Sequence, residues 1–218
     1  MERINAWKTY ENKDKKELEQ LNQDYIEFLS VGKTERECVK ETIRQAEQNG
    51  YQPLEEVLKK GEKLQKGDKV YAAYMNKTIA LFQIGEDAIE DGLNILGAHI
   101  DSPRLDLKQN PLYEDTEMAL LDTHYYGGVK KYQWVTLPMA LHGVVVKKDG
   151  TKVNICIGEK DEDPVVGITD LLIHLSGKQM QKKGNVIVEG EDLNVLIGSK
   201  PLKGEEKEAV KKQLLQLF

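Results

Sequence analysis

The sequence predicts an α/β fold over its first hundred or so residues and a mostly β region after it. Apolar residues recur at helical spacing in residues 13–48, and β-branched and aromatic runs then occupy 70–84 and 93–99. From residue 104 to residue 203, short β-type runs replace any long helical pattern. The change of hydrophobic period separates a helical opening from strands that follow it.

Two amphipathic helices open the chain. The first is predicted over residues 13–30, and its buried face is formed by Leu18, Leu21, Tyr25 and Phe28. The second begins after Thr34, because Glu37 three residues later completes a capping box, and it ends at Asn49-Gly50. Its inward face is formed by Cys38, Val39, Ile43 and Ala46. Both helices are interpreted as structural.

A β-hairpin and a third strand complete the first part. Residues 70–75 and 78–84 are rich in β-branched and aromatic side chains, and Asn76-Lys77 between them predicts a tight turn. The third strand is predicted over residues 93–99, after an acidic loop. Its apolar run indicates burial inside a sheet, with polar groups delivered at its C-terminal end.

Those polar groups are His99 and Asp101, which are followed by Ser102-Pro103. In an extended segment, residues 99 and 101 point to the same side, so the carboxylate can lie beside the imidazole. A metal-ligating histidine usually donates its second ring N–H to such a carboxylate. The alternative is a histidine at a strand end next to a solvated aspartate, and the three-residue pattern alone favours that alternative.

The second part is predicted to be built from short strands. Asp149-Gly150 predicts a hairpin turn between two of them. The β-type runs are Met118–Leu121, Trp134–Leu137, Leu141–Lys147, Lys152–Ile157 and Asn194–Ile197. The last segment, Glu205–Phe218, carries Val210, Leu214 and Leu217 at helical spacing and is predicted to be an amphipathic helix.

The remaining candidate residues lie in this second part. His174 stands among leucines in residues 169–177, predicted as a short helix, and on sequence alone it reads as a buried core residue. His124 precedes Tyr-Tyr-Gly-Gly, which suits either a loop that approaches a substrate or a glycine turn. His142 is interpreted as structural. Arg104 suits either a bound carboxylate or a surface ion pair.

Composition narrows the class of protein. The formal net charge of -6 argues against a nucleic-acid partner, which usually requires a basic face. No apolar run reaches membrane-spanning length and no signal peptide opens the chain, so we expect a cytoplasmic protein without a membrane partner. Cys38 and Cys156 form no C-x-x-C pattern and are expected to be reduced thiols. Gly-rich phosphate-binding motifs are absent from the sequence.

Three stretches together carry a family resemblance. The residues from Gly97 to Leu107, from Asn110 to Tyr113 and from His124 to Trp134 resemble, in register, the M18 family of metallo-aminopeptidases, and most closely its bacterial aspartyl-aminopeptidase type. The resemblance extends from the N-terminal helices to near residue 203.

The resemblance implies both a site and a chemistry. In the family, the position of His99 binds one ion of a two-zinc site, and the position of Asp101 orients that histidine. The position of His174 counts among the zinc-site histidines, and it either ligates metal or reaches the site of a neighbouring subunit. The implied reaction is metal-assisted hydrolysis of the N-terminal peptide bond of peptides, with acidic N-terminal residues among the substrates.

The resemblance also implies a domain organisation. It assigns residues 1–104 to the N-terminal portion of an α/β zinc-peptidase domain, residues 105–203 to an inserted β-rich domain that builds a homo-oligomer, and residues 204–218 to the start of a return to the catalytic domain. Family members continue past this point with further ligands and the general base, so we expect this chain to be a truncated, N-terminal part that is inactive alone. Two alternatives are a non-catalytic assembly or regulatory subunit and a small β-rich binding domain.

Overall fold

The computed structural model describes residues 3–216. The backbone divides into two compact units, with the division between Asp101 and Ser102. Within the described residues, no helix is both long and apolar enough to cross a membrane. The elements of the first unit are α1 (Asn12–Val31), α2 (Glu35–Gln48), β1 (Gln52–Pro53), α3 (Leu54–Lys60), β2 (Lys69–Tyr74) and β3 (Thr78–Gln83), with 3-10 turns at Ala6–Lys8 and Ile89–Asp91.

The two predicted helices are confirmed, but they are buried to different degrees. Thr34 is the N-cap of α2, and its hydroxyl accepts a hydrogen bond from the backbone N–H of Glu37, as the capping-box spacing predicts. Three residues of α2 are buried, namely Cys38, Val39 and Ala46. In contrast, α1 buries no residue, and Leu21 and Tyr25 of its predicted inner face are exposed.

A three-stranded sheet in the order β1-β2-β3 packs against α2 and α3. The predicted hairpin is confirmed, with pairing from Lys69–Gln83 to Tyr74–Thr78. Its turn lies one residue earlier than Asn76-Lys77, because Met75 and Asn76 are the residues with positive φ, 51° and 54°. Two positive φ values in succession match the right-handed twist of the flanking strands.

The prediction of a strand over residues 93–99 is wrong. Residues 92–103 form neither helix nor strand, and Ile95 and Leu96 are 82% and 100% exposed. An apolar strand of this kind requires hydrogen-bonding neighbours at its edges and cover on both faces. Among residues 3–216 no strand pairs with this segment, so its apolar side chains face solvent.

The second unit is mostly β. Its main sheet has five strands in the order β4-β5-β10-β9-β6, and β7 and β8 form a separate pair. The elements are β4 (Arg104–Asp115), β5 (Met118–Tyr126), β6 (Pro138–Met139), β7 (Leu141–Val146), β8 (Lys152–Ile157), β9 (Val166–Gly167), β10 (Val195–Gly198) and α4 (Ala209–Leu215), with 3-10 turns at Lys131–Gln133, Gln179–Gln181 and Gly190–Asp192.

Most of the predicted short strands are found. The runs that begin at Met118, Leu141, Lys152 and Asn194 lie in β5, β7, β8 and β10. The run Trp134–Leu137 is not a strand, because Thr136 has a φ of 61° and interrupts the extended backbone. The long strand β4 was not predicted from the sequence at all.

The core of the second unit is formed by residues of the main sheet and of the segments that connect its strands. Leu193 is completely buried and packs in a cluster with residues of β5, β9 and β10. The buried members of the cluster are Leu121, Val135, Val166, Ile168, Val188, Leu193 and Val195. The buried hydroxyl of Thr123 donates a hydrogen bond to the backbone carbonyl of Leu193, which fixes the approach to β10 against β5.

The last helix, α4, is shorter than predicted, since it begins at Ala209 and not near Glu205. Val210 is buried, and α4 contacts β4 and β5. Leu217, which the sequence places on the apolar face, lies outside the described residues.

Candidate metal centre

His99 and Asp101 lie together in the irregular segment after residue 92. The imidazole Nδ1 of His99 is 2.9 Å from the backbone carbonyl oxygen of Asp101 and 3.1 Å from its carboxylate Oδ1. Both neighbouring atoms are hydrogen-bond acceptors, so the contacts fit the tautomer that carries its ring proton on Nδ1. The remaining nitrogen, Nε2, therefore carries the lone pair that a metal ion binds.

The side chains in this pair are accessible. His99 is 84% exposed and Asp101 is 40% exposed. The donor set suits one position of a zinc site, since zinc is bound by neutral imidazole and a carboxylate commonly fixes the tautomer of such a ligand. Among residues 3–216, no three or more His, Cys, Asp or Glu side chains are grouped so that they could hold a metal ion. The geometry of His99 and Asp101 thus suits one ligand and its orienting group.

His174 lies in the second unit, on a loop and not on the predicted helix. The segment from residue 169 to residue 177 contains no helix or strand, and its turn is closed by the Leu175 N–H, which donates to the Leu172 carbonyl at 2.8 Å. The Asp170 carboxylate accepts hydrogen bonds from the Leu171 backbone N–H and from the Gln179 side chain, both at 2.8 Å. His174 is exposed, so the interpretation as a core histidine is wrong.

The loop around His174 is apolar at the surface. Its large aliphatic side chains are 53–71% exposed, and they are Leu171, Leu172, Ile173 and Leu175. The buried member of the segment is Ser176, whose hydroxyl donates to the Ile173 carbonyl at 3.0 Å. An exposed apolar segment of this size commonly marks a contact surface.

The other candidate residues have local partners. The Arg104 Nε donates to Asp106 at 2.7 Å, and the guanidinium lies 4.1 Å from the centre of the Tyr126 ring. His124 is on β5 and stacks on Tyr125 with ring centres 5.5 Å apart. His142 lies within 3.0 Å of the Glu159 carboxylate, as expected for a structural histidine.

The group of aromatic and basic side chains at the end of β5 was missed by the sequence analysis. Besides the Arg104–Tyr126 contact, Lys131 lies 5.6 Å from the centre of the Tyr125 ring. The sequence contained one signal for part of this group. Arg104 and Asp106 are two residues apart, so their side chains face the same side if this segment is a strand.

Comparison with known proteins agrees with the resemblance. The family described as Aminopeptidase I zinc metalloprotease (M18) matches residues 28–218. A probable M18 family aminopeptidase 1 of Clostridium acetobutylicum is 58% identical over 215 residues, which are 98% of this chain and 46% of that protein. This chain thus spans about half the length of the curated relatives that it matches.

Solved structures are similar as well. The crystal structure of an M18 aminopeptidase from Thermotoga maritima is 46% identical, with a TM-score of 0.90, and the match covers 100% of this chain and 46% of that one. The structure described as the S. cerevisiae mApe1 dodecamer is 19% identical with a TM-score of 0.59, over 83% and 39% of the two chains, and it shares the fold alone. On the family match and the close relatives, this chain belongs to the M18 family of zinc metallo-aminopeptidases.

Proposed function

We propose that His99 serves as a zinc ligand in an aminopeptidase that removes N-terminal residues, acidic ones among them, from peptides. The observation that carries the proposal is the contact of His99 Nδ1 with two acceptor atoms of Asp101, at 2.9 and 3.1 Å. This contact leaves Nε2 in the state that zinc requires.

Each residue of the pair has a separate task. His99 would bind one of two zinc ions through Nε2, and Asp101 would act as a positioning residue that fixes the tautomer and raises the basicity of the ring. Zinc, when bound, polarises the scissile carbonyl as a Lewis acid. The exposure of His99 fits this role, because the substrate and the further ligands must all reach the ion that Nε2 would bind.

His174 is proposed to act at the active site of a neighbouring subunit, either as a ligand or as a hydrogen-bond donor to the oxyanion. A donor placed in advance stabilises the charge that develops on the carbonyl oxygen. The exposed position of His174 on an apolar surface loop supports a contact outside its own subunit.

Self-association is proposed to occur through residues 105–203, as an oligomerisation domain inserted between residues 1–104 and 204–218. The exposed aliphatic side chains beside His174 support this, and so does the dodecameric assembly named for the distant yeast relative. The other proposed partners are peptide substrates, without nucleic acid or membrane, in the cytoplasm.

The test uses the natural protein that carries this sequence, purified from its source. Zinc content would be measured with aminopeptidase activity on peptides that begin with Asp, Glu or Leu. We expect about two zinc ions per chain, as a two-metal hydrolase requires. His99→Ala should abolish activity, and Asp101→Asn should weaken zinc binding about 10- to 100-fold, while His142→Gln serves as the control histidine variant.

Two results would count against the proposal. Retained activity of the His99→Ala variant at saturating zinc would rule out the ligand assignment. A natural product with the mass of 218 residues, no zinc and no turnover would instead support the alternative of a non-catalytic assembly or regulatory subunit.

A further inference from the structure

The β7–β8 hairpin forms a sheet of only two strands. Six residue pairs join the strands, from Leu141–Ile157 to Val146–Lys152. Among the described residues, no third strand extends this sheet on either side. Every second residue of an outer strand directs its backbone N–H and C=O away from the partner strand, so both outer edges can accept another strand.

The outer edge of β7 lacks the features that normally prevent strand addition. No charged residue and no proline occurs between Leu141 and Val146, and Val145 and Val146 are 51% and 61% exposed. In comparison, β8 begins with Lys152, whose charge disfavours pairing at that edge. A hairpin of two strands is also marginally stable alone, so an added strand would stabilise it.

Charge is distributed unevenly along the hairpin. Lys147 and Lys148 follow directly at the end of β7, next to the turn. The acidic segment Gly158–Asp163 lies at the opposite end, where Glu159 contacts His142 at 3.0 Å. The Asp163 carboxylate accepts hydrogen bonds from two backbone N–H groups of this segment, at 2.9 and 3.2 Å, and so holds it in place.

Glu159 contacts His142, but four other charged side chains at the two ends form no ion pair among the described residues. Within residues 3–216, none of Lys147, Lys148, Asp161 and Glu162 forms a salt bridge. The hairpin is therefore basic at one end of β7 and acidic at the other, with an uncharged open edge between them.

We propose that the β7 edge pairs antiparallel with the β7 edge of a second copy of this chain. A twofold axis near Val144 places Val144 opposite itself and His142 opposite Val146, since only alternate residues direct their N–H groups outward. The antiparallel arrangement brings Lys147 and Lys148 of each copy beside the acidic segment of the other copy. This contact occurs twice, once at each end of the paired strands.

The proposal adds one defined contact to the self-association proposed above and rests on that part of the proposed function. Affinity would come from backbone hydrogen bonds between the two β7 strands, as in other cases of strand addition. The two charge contacts would set the antiparallel direction and favour a second copy over an unrelated strand.

The test is sedimentation velocity of the 218-residue chain over a range of concentrations. The variants Lys147→Glu/Lys148→Glu and Asp161→Lys/Glu162→Lys carry like charges at both ends of β7. Each variant alone should therefore dimerise at least about tenfold more weakly than the unaltered chain. In an equimolar mixture the two variants are complementary, so the mixture should recover the affinity of the unaltered chain.

Controls separate the edge from general effects of charge and folding. Lys200→Glu/Lys203→Glu makes the same change in charge elsewhere in the second unit and should leave dimerisation unchanged. Val145→Lys should block the edge, whereas Val145→Thr, which keeps the β-branched side chain, should not. Circular dichroism would show that each variant is folded.

Three results would overturn the proposal. They are a chain that is monomeric at all concentrations, an association that neither charge variant weakens, and a mixture that fails to recover the affinity. Zinc content and peptidase activity of the natural protein do not depend on these measurements, so a failure of this contact is distinguishable from a failure of the zinc assignment.

Discussion

Glu114 holds the beginning of α4 from a different element of the fold. Its carboxylate Oε2 accepts hydrogen bonds from the backbone N–H groups of Val210 and Lys211, at 3.0 and 2.9 Å. The helix has no side-chain cap of its own, because the carboxylate of the N-cap residue Glu208 accepts a bond from the Lys211 ammonium and none from a backbone N–H of the first turn. A half-buried carboxylate on β4 therefore satisfies two of the N–H groups that every helix end leaves without a partner.

The cost of removing this carboxylate can be derived from those two bonds. A hydrogen bond to a charged group contributes about 1.5–3 kcal/mol, and loss of a helix N-cap costs about 0.5–2 kcal/mol. Water reaches the half-buried site and replaces part of what is lost. We therefore expect Glu114→Ala to lower the free energy of unfolding by about 2 kcal/mol, and Glu114→Gln, which keeps one acceptor oxygen, by about 1 kcal/mol.

Urea denaturation would measure the global effect, and amide hydrogen exchange at Val210 and Lys211 would measure the local one. Asp115→Ala is the matched control, because Asp115 is an exposed carboxylate next along the same strand. If Glu114→Ala and Asp115→Ala differ by less than about 0.5 kcal/mol, and exchange at the two amides is unchanged, the capping role is refuted.

Three further predictions follow from burial and charge. Leu193→Ala should destabilise the chain by about 3 kcal/mol in urea denaturation, because Leu193 is 0% exposed; a loss below about 1 kcal/mol would contradict its place in the core. The hydrogen bond from Arg44 lowers the pKa of Glu41 to about 2, below its ordinary 4.5. The ionised Glu41 carboxylate therefore stabilises the folded state above pH 4.5, and this stabilisation is lost as the pH falls towards 2. Glu41→Gln should therefore cost about 0.5–1 kcal/mol at pH 7 and almost nothing near pH 2, and an equal cost at both pH values would disprove this. An aromatic disulfide reagent should modify Cys156 at least about tenfold faster than Cys38, because Cys38 is buried and burial raises the pKa of its thiol; equal rates would refute this difference in accessibility.

Local signals in the sequence were sufficient where the structure depends on neighbours in the chain. The helix after Thr34 and the hairpin pairs β2–β3 and β7–β8 are found where capping residues, turn residues and periodicity indicate them. In each case the partner that satisfies the backbone belongs to the same helix or to the next strand along the chain.

The errors arise where the deciding partner is distant or the usual signal is absent. The turn between β4 and β5 uses Thr116 and Glu117 with positive φ, without the glycine or asparagine that marks such turns. Pro111 further disguises β4, and the pairing shifts register between Leu107 and Leu112. The run 93–99 has the composition of a buried strand, but composition does not show whether neighbouring strands are present to pair with it.

The candidate site was predictable in its local part. The contact of His99 with Asp101 follows from a separation of two residues, although the segment is irregular and not a strand. The position of His174 was not predictable from its leucine-rich surroundings, because an apolar composition favours burial and the structure leaves these leucines exposed on a loop.

The short separation between His99 and Asp101 makes their contact a property of one stretch of backbone. The atoms that set the imidazole tautomer lie on the adjacent stretch of backbone, so they need no distant part of the fold to be in place first. The orientation of the His99 ring is therefore set locally, and it does not depend on where more distant residues lie. A substitution far from this segment should therefore leave the contact between His99 and Asp101 in place.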